Sequence, residues 1–248
     1  MLPQVKQLTH QLRLFGIHNS IERLAEEAMT NSLHPLEFIR ILLEEEVGAR
    51  KLVAAKRIDN QARFQFRAEL EDWDGTFDRG INKQKIKDLA VLNFYHNHEN
   101  LIICGKTGEG KTHLAISIGK RMCREEITTQ FHSVNLMFEE VKAARAAGKY
   151  LKFVTSLKKS KVIILDDFGL RNYTHEEAVI LMDILDGRYG VGSTIITSQI
   201  DNLGWLKLFE DPAIGEAIID RLIHPSQKIL LKGGSYRERI QNERRAKT

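Results

Sequence analysis

Eight residues, GKTGEGKT at positions 105–112, satisfy the phosphate-loop spacing G-x-x-x-x-G-K-[ST] at every fixed position. The chemistry on offer is polyphosphate binding. Glycines let backbone N–H groups curl inward around phosphate oxygens, and the helix start behind them adds unpaired donors and partial positive charge. Lys111 can reach the outer phosphates, and the Thr112 hydroxyl can take one position on Mg2+. Gly105, Lys106, Thr107, Gly108, Glu109, Gly110, Lys111, Thr112 and His113 are therefore the candidate nucleotide-binding residues.

Three more segments carry chemistry. VIILDDFG at 162–169 is an apolar run closed by two acids. Asp166, at the carboxyl end of a buried strand, is the candidate metal carboxylate together with Thr112. Asp167 can orient and deprotonate an attacking water, or merely cap the next turn; the wider ATPase class more often has glutamate there. TIITSQ at 194–199 ends a strand in polar side chains, and any of Thr197, Ser198 and Gln199 could sense a terminal phosphate. Arg221, among the apolar residues of IIDRLIH at 218–224, needs a partner if buried. That partner is an ATP phosphate on a neighbouring subunit, making it an arginine finger, or a carboxylate of its own chain such as Asp220.

These residues need elements to hold them. Leu101 to Cys104 reads as a buried strand running into the loop, and residues 112–125 as the helix leaving it. Helix patterns at 83–95, 135–147 and 176–189 alternate with strand patterns at 128–133, 162–165 and 193–197. Such alternation predicts an α/β fold, a parallel sheet covered by helices on both faces. Residues 1–68 read as a small all-helical domain, with Gly16 as a break, Asn19 and Glu22 as a capping box, and Pro35 as a helix start. The acidic, aromatic turn at 69–75 places the boundary to a domain spanning 69–248.

Net charge is only +4, but it is unevenly spread. Between Gly48 and Arg67, six basic residues (Arg50, Lys51, Lys56, Arg57, Arg63, Arg67) face one acid, Asp59. On a continuous helix Lys56, Arg63 and Arg67 would share a face, as would Arg50 and Arg57. A second cluster, Lys228, Lys232, Arg237, Arg239, Arg244, Arg245 and Lys247, closes the chain. Both suit a polyanion, or simply solvent. Two cysteines without metal spacing and no stretch long enough to span a bilayer predict a cytoplasmic protein without a membrane partner.

GKTGEGKTHLA, ILDDFG, TSQ, DRLIH and GGSYR, following a Leu-rich helical region and the LEDWD entry at 70–74, together resemble the IstB-like ATP-binding proteins. These are transposition helpers of insertion sequences, a branch of the P-loop AAA+ ATPases close to the replicative-helicase loader DnaC. The resemblance implies ATP and Mg2+ as cofactors and ATP at the interfaces of a homo-oligomer. It also implies double-stranded DNA bound without strong sequence preference, and a cognate transposase as partner. By the same likeness Asp166 and Asp167 serve metal and water, and Arg221 acts in trans. Gln199 stands where relatives usually have Asn, which puts the sensor assignment in doubt, and Lys106 departs at a variable position. The basic residues Arg50, Lys56, Arg57, Arg63 and Arg67 become the candidate DNA face, read through backbone rather than bases. The alternative client is a replicative helicase, with the chain as a loader of the DnaC type. Entry segments in this class often touch adenine, and whether Trp73 or Phe77 does so here is left open by the sequence.

Overall fold

The structure, a computed structural model, describes residues 1–224, 226–236, 238 and 239. The chain divides into two compact units, Met1–Arg57 and Ile58–Thr248. The boundary expected at 68/69 lies inside the second unit.

The first unit is helical. Helices α1 (Leu2–Gln11) and α2 (Phe15–Thr30) are separated by a turn in which Arg13 adopts φ 56°, closed by the Leu14 N–H on the Thr9 carbonyl at 2.8 Å. Gly16 is therefore not the break. It lies in the first turn of α2, where a Cβ would come within 2.8 Å of the Ala49 Cβ, so glycine serves close approach. Asn19 and Glu22 fall within α2 and form no cap, because the helix has already begun at Phe15. The open N–H groups of that first turn are met instead by Glu46, whose Oε2 accepts from Gly16 at 2.8 Å and Ile17 at 3.2 Å. Burial alone would raise this carboxyl; the Arg50 guanidinium and the two N–H groups hold it below its ordinary value. Helix α3 (Pro35–Ala62) starts at Pro35 as expected, because proline has no N–H to lose there.

The second unit is built on a five-stranded sheet, β1 (Asn100–Cys104), β2 (Thr129–Ser133), β3 (Val162–Phe168), β4 (Ser193–Ser198) and β5 (Ser226–Leu230), in the order β2-β3-β4-β1-β5. Every pair is parallel. Side chains alternate between two cores, as strand period demands. Leu101, Ile103, Ile164 and Ile195 pack with α6 (Lys111–Arg124) and with Ile86 and Leu89 of α4 (Lys83–Ala90). Ile102, Ile163, Leu165 and Ile196 pack with α7 (Val134–Ala146), α8 (Tyr150–Lys159), α9 (His175–Asp186) and α10 (Pro212–Ile223). The expected single helix at 83–95 is two, α4 and the one-turn α5 (Asn93–His96), because Leu92 turns to φ 62° and buries its side chain. Among the described residues no helix is long and apolar enough to cross a membrane.

Candidate nucleotide site

The phosphate loop joins β1 to α6, with Gly108 at φ 86° and Gly110 at φ 95°, left-handed values that strain any residue with a Cβ. Its outer side is closed by the late GGSY segment: the Tyr236 N–H donates to the Gly108 carbonyl at 3.0 Å, and a Cβ on Gly108 would strike the Ser235 Oγ. Thr107, Gly108, Gly110, Lys111, Thr112 and His113 line one cleft. Glu109 does not: its buried carboxylate turns back and accepts from the Lys106 N–H at 2.6 Å, bracing the loop from behind. The Lys111 Nζ donates to the Lys106 carbonyl at 2.9 Å. Burial lowers the pKa of this amine, partly offset by Asp167, Glu109 and Asp166.

Across the cleft, Asp166 at the end of β3 accepts the Thr112 hydroxyl at 2.9 Å and the Thr197 hydroxyl at 2.6 Å. Burial is the main influence that raises its pKa, with the neighbouring Asp167 adding to it; Thr197, Thr112 and Lys111 pull the other way. Among the described residues no three His, Cys, Asp or Glu cluster tightly enough to hold a metal alone. Two hard oxygens, from Thr112 and Asp166, beside a phosphate loop fit Mg2+, which binds through few protein ligands and completes its shell with phosphate and water.

Asp167 takes φ 59°, and the β3–β4 pairing slips between Leu165 and Phe168. A non-glycine residue there costs about 1–3 kcal/mol of backbone strain. The Thr197 hydroxyl accepts the displaced Asp167 N–H at 2.9 Å, and Asp167 is delivered to the cleft beside Lys111 and Asp166.

The three polar residues at and just beyond the end of β4 have separate fates. Thr197 holds both aspartates, and Gln199 lines the cleft and accepts the Thr107 hydroxyl at 2.8 Å. Ser198 is fully buried; its hydroxyl donates to the Phe168 carbonyl at 2.8 Å and accepts the Trp205 indole N–H. Its expected place at the phosphate is thereby corrected, since even alternation along the strand turns it from the cleft.

At the other end of the cleft stand Gln65, Phe66, Asp72, Trp73, Asp74, Arg79 and Tyr236. Trp73 lines it, whereas Phe77 packs against Tyr236 with ring centroids 5.6 Å apart. The His113 ring lies near Phe66 and Trp73, and burial plus the Arg79 charge hold it below the usual histidine range. Arg79 and Tyr236 escaped sequence reading because no spacing links residue 79 or 236 to the loop; only chain return brings them there.

Arg221 is not at this cleft. It ends α10, where its backbone carbonyl accepts from Asn100 at 2.9 Å, beside the strands' amino ends. Its guanidinium pairs with Asp186, not Asp220, and donates to the Ala217 carbonyl at 2.9 Å.

Of the candidate DNA residues, Arg50, Lys56 and Arg57 lie on α3, Arg50 bonded to Glu46 at 2.7 Å. Arg63 and Arg67 do not continue that helix, so the expected face of Lys56, Arg63 and Arg67 is not formed. The helix stops because Arg63 turns to φ 60° and Phe64 packs beside Phe131 and Gly119. Arg63 pairs with Glu140 at 3.2 Å, while Lys56, Arg57 and Arg67 are exposed. Arg237, Arg244, Arg245 and Lys247 lie outside the described residues.

Asp166 also bears on stability. A folded-state pKa raised above the unfolded value favours the protonated form, so the penalty is absent at low pH and grows as pH rises through that pKa. At pH 7 without nucleotide, Asp166→Asn should therefore melt higher, by about 2–4 °C per kcal/mol relieved. Adding ATP with Mg2+ should stabilise the variant less than the wild type. Thermal melts with and without the nucleotide check both halves.

The match to a family model described as IstB-like ATP binding protein spans residues 7–245. An insertion-sequence ATP-binding protein of Sinorhizobium fredii is 33% identical over 235 residues, 94% of each chain. The insertion sequence IS21 ATP-binding protein of Pseudomonas aeruginosa is 31% identical over 234 residues, 94% of this chain and 88% of that one. Among solved structures, DnaI superposes with TM-score 0.57 at 21% identity, over 68% of this chain and 90% of that one. The DnaC helicase loader gives 0.56 at 23%, over 66% and 97%. Together with the sheet order and the paired acids, these likenesses give a P-loop AAA+ fold, and the chain belongs to the family of IstB-like ATP binding proteins of insertion sequences.

Proposed function

We propose that this chain is an ATP-driven assembly factor for transposition: it oligomerises on double-stranded DNA with ATP at subunit boundaries, assists the element's transposase, and hydrolyses ATP slowly to disassemble. The observation that carries this reading is the division of catalytic parts. Loop, Thr112, Asp166, Asp167 and Gln199 converge on one cleft, while Arg221 lies elsewhere and can meet a phosphate only by serving another copy. Within the cleft, Asp167 acts as the base or orienting group for water, and Gln199, tied to Thr107, is the residue proposed to sense the terminal phosphate. Mg2+, held by Thr112 and Asp166, would neutralise charge on the phosphates.

The DNA contribution falls to α3 and the segment just beyond its end. Exposed Lys56, Arg57 and Arg67 offer charge to a duplex backbone, with Arg50 and Arg63 contributing if Glu46 and Glu140 release them. The relatives' insertion-sequence names support a transposase as the client over a replicative helicase, because they match along almost the whole chain.

The test is assembly. With duplex DNA and a slowly hydrolysed ATP analogue, the wild type should form large particles by sedimentation and electron microscopy, and single strands should do so poorly. Arg221→Ala should still bind ATP but lose assembly and DNA-stimulated turnover, the latter by about 10³-fold, the low end for an arginine finger. Unchanged oligomers with this variant would return Arg221 to a purely intrachain role with Asp186. Preference for single strands and capture of a replicative helicase would favour the loader reading.

A further inference from the structure

Arg79 is 2% exposed, yet among the described residues no carboxylate is bonded to its guanidinium. Its Nη2 donates to the Asp74 backbone carbonyl at 2.9 Å, and its Nε is buried with no acceptor. The Asp74 carboxylate is committed elsewhere, to the Thr76 N–H and hydroxyl and to Arg239 at 3.2 Å. The guanidinium is clamped between two rings, its carbon 3.3 Å from the Trp73 centroid and 4.6 Å from that of Tyr236. The Trp73 indole N–H is likewise buried without an acceptor. Two orphaned donors side by side are costly, each about 1–3 kcal/mol. Both residues line the cleft that holds Lys111, Thr112 and Asp166. The place is specific too: a Cβ on Gly110 would come 3.1 Å from Arg79 Nη1 and 3.7 Å from the Trp73 ring. The open side of the phosphate-loop glycine is thus faced by this cation.

We infer that Arg79 is a nucleotide-binding residue acting within its own subunit, its guanidinium pairing through the Gly110 side of the loop with the phosphates that ADP and ATP share. This rests on ATP occupying the phosphate loop. Arginine suits the task because its planar fork both stacks on aromatic rings and bonds phosphate oxygens in pairs. The rings of Trp73 and Tyr236 supply a stacking surface that keeps the cation poised before the anion arrives. Burial, which depresses the guanidinium's pKa, adds to the cost that an incoming phosphate would relieve. Tyr236 is delivered by the same late segment that closes Gly108, so cation, closing segment and loop form one unit.

The test is equilibrium titration with ADP, and with a slowly hydrolysed ATP analogue, of wild type, Arg79→Met and Arg79→Lys, alongside melts without nucleotide. Arg79→Met should bind both nucleotides about tenfold more weakly or worse, and Arg79→Lys should recover part of the loss. Without nucleotide, Arg79→Met should melt no lower than wild type, because methionine keeps the apolar clamp and removes an uncompensated charge. If Arg79→Met does not fold, Arg79→Gln, whose amide can retain the bond to the Asp74 carbonyl, carries the same comparison. Wild-type affinity for both nucleotides in the neutral variant would overturn the inference. So would a loss confined to the ATP analogue, which would move the arginine to the terminal phosphate. A wild type that binds neither nucleotide would instead sink the ATP reading itself.

Discussion

Lys111→Ala should bind ATP and ADP at least about a hundredfold more weakly, the effect expected when one partner of a desolvated charge pair is truncated and about 3 kcal/mol is lost. The lysine is almost fully buried, with its amine on the Lys106 carbonyl and the charges of Asp166 and Asp167 nearby. A polyphosphate brought against the loop without it would face those two aspartates unscreened. Burial lowers the amine's pKa, so in the unliganded protein the folded state favours its neutral form relative to the unfolded chain. Removing it should therefore not unfold the domain: the melt without nucleotide should stay close to wild type, while stabilisation by nucleotide disappears. Titration of a fluorescent nucleotide, read beside those melts, separates the two effects. Retained affinity in a folded Lys111→Ala would count against the phosphate loop as the site.

Asp167→Asn should leave ATP affinity within a few-fold of wild type yet slow turnover by about 10²–10⁴, the range for loss of a general base. The substitution is nearly isosteric, and the Asp167 N–H bond to Thr197 that holds the strained backbone is untouched. Only the acidity of the carboxyl end changes. If ATP turnover times disassembly, the variant should accumulate as assembled particles on duplex DNA with ordinary ATP, matching wild type given the slowly hydrolysed analogue. Phosphate release and sedimentation together read this. A variant with full turnover would assign Asp167 to capping the turn and shift the water-directing role to Gln199.

These two residues also show how far local pattern reaches. Loop, Lys111, Thr112 and Asp166 were legible in sequence because their chemistry is encoded by short-range order: a strand must end, a chain must curl, and a helix must begin within a dozen residues. The parallel sheet was legible for a similar reason, since apolar runs alternating with helical periods have few other solutions. Strand β5 was not. It lies at the sheet edge, and only Ile229 among its five residues is buried, so the run carries little hydrophobic signal. Helix α3 misled in the opposite direction: the basic spacing from Lys56 to Arg67 reads as one face, but the packing of Phe64 stops the helix first.

What the sequence by itself determined, then, is the phosphate-loop motif, the alternation of helices with the first four strands, and the family. The tertiary structure alone decided which of Thr197, Ser198 and Gln199 faces the cleft, because Phe168 and Trp205 take the buried Ser198 hydroxyl while Thr107 meets Gln199 beside the loop. It decided that Arg221 meets Asp186, and that Arg79, Trp73 and Tyr236 close over the loop. The physical reason is common to all three. Contacts between residues far apart in the chain depend on where β1, β5 and α10 deliver them, and no local spacing records that delivery. The eight residues of the phosphate loop announce a site; the residues that return to it from 73, 79 and 236 shape what it can hold.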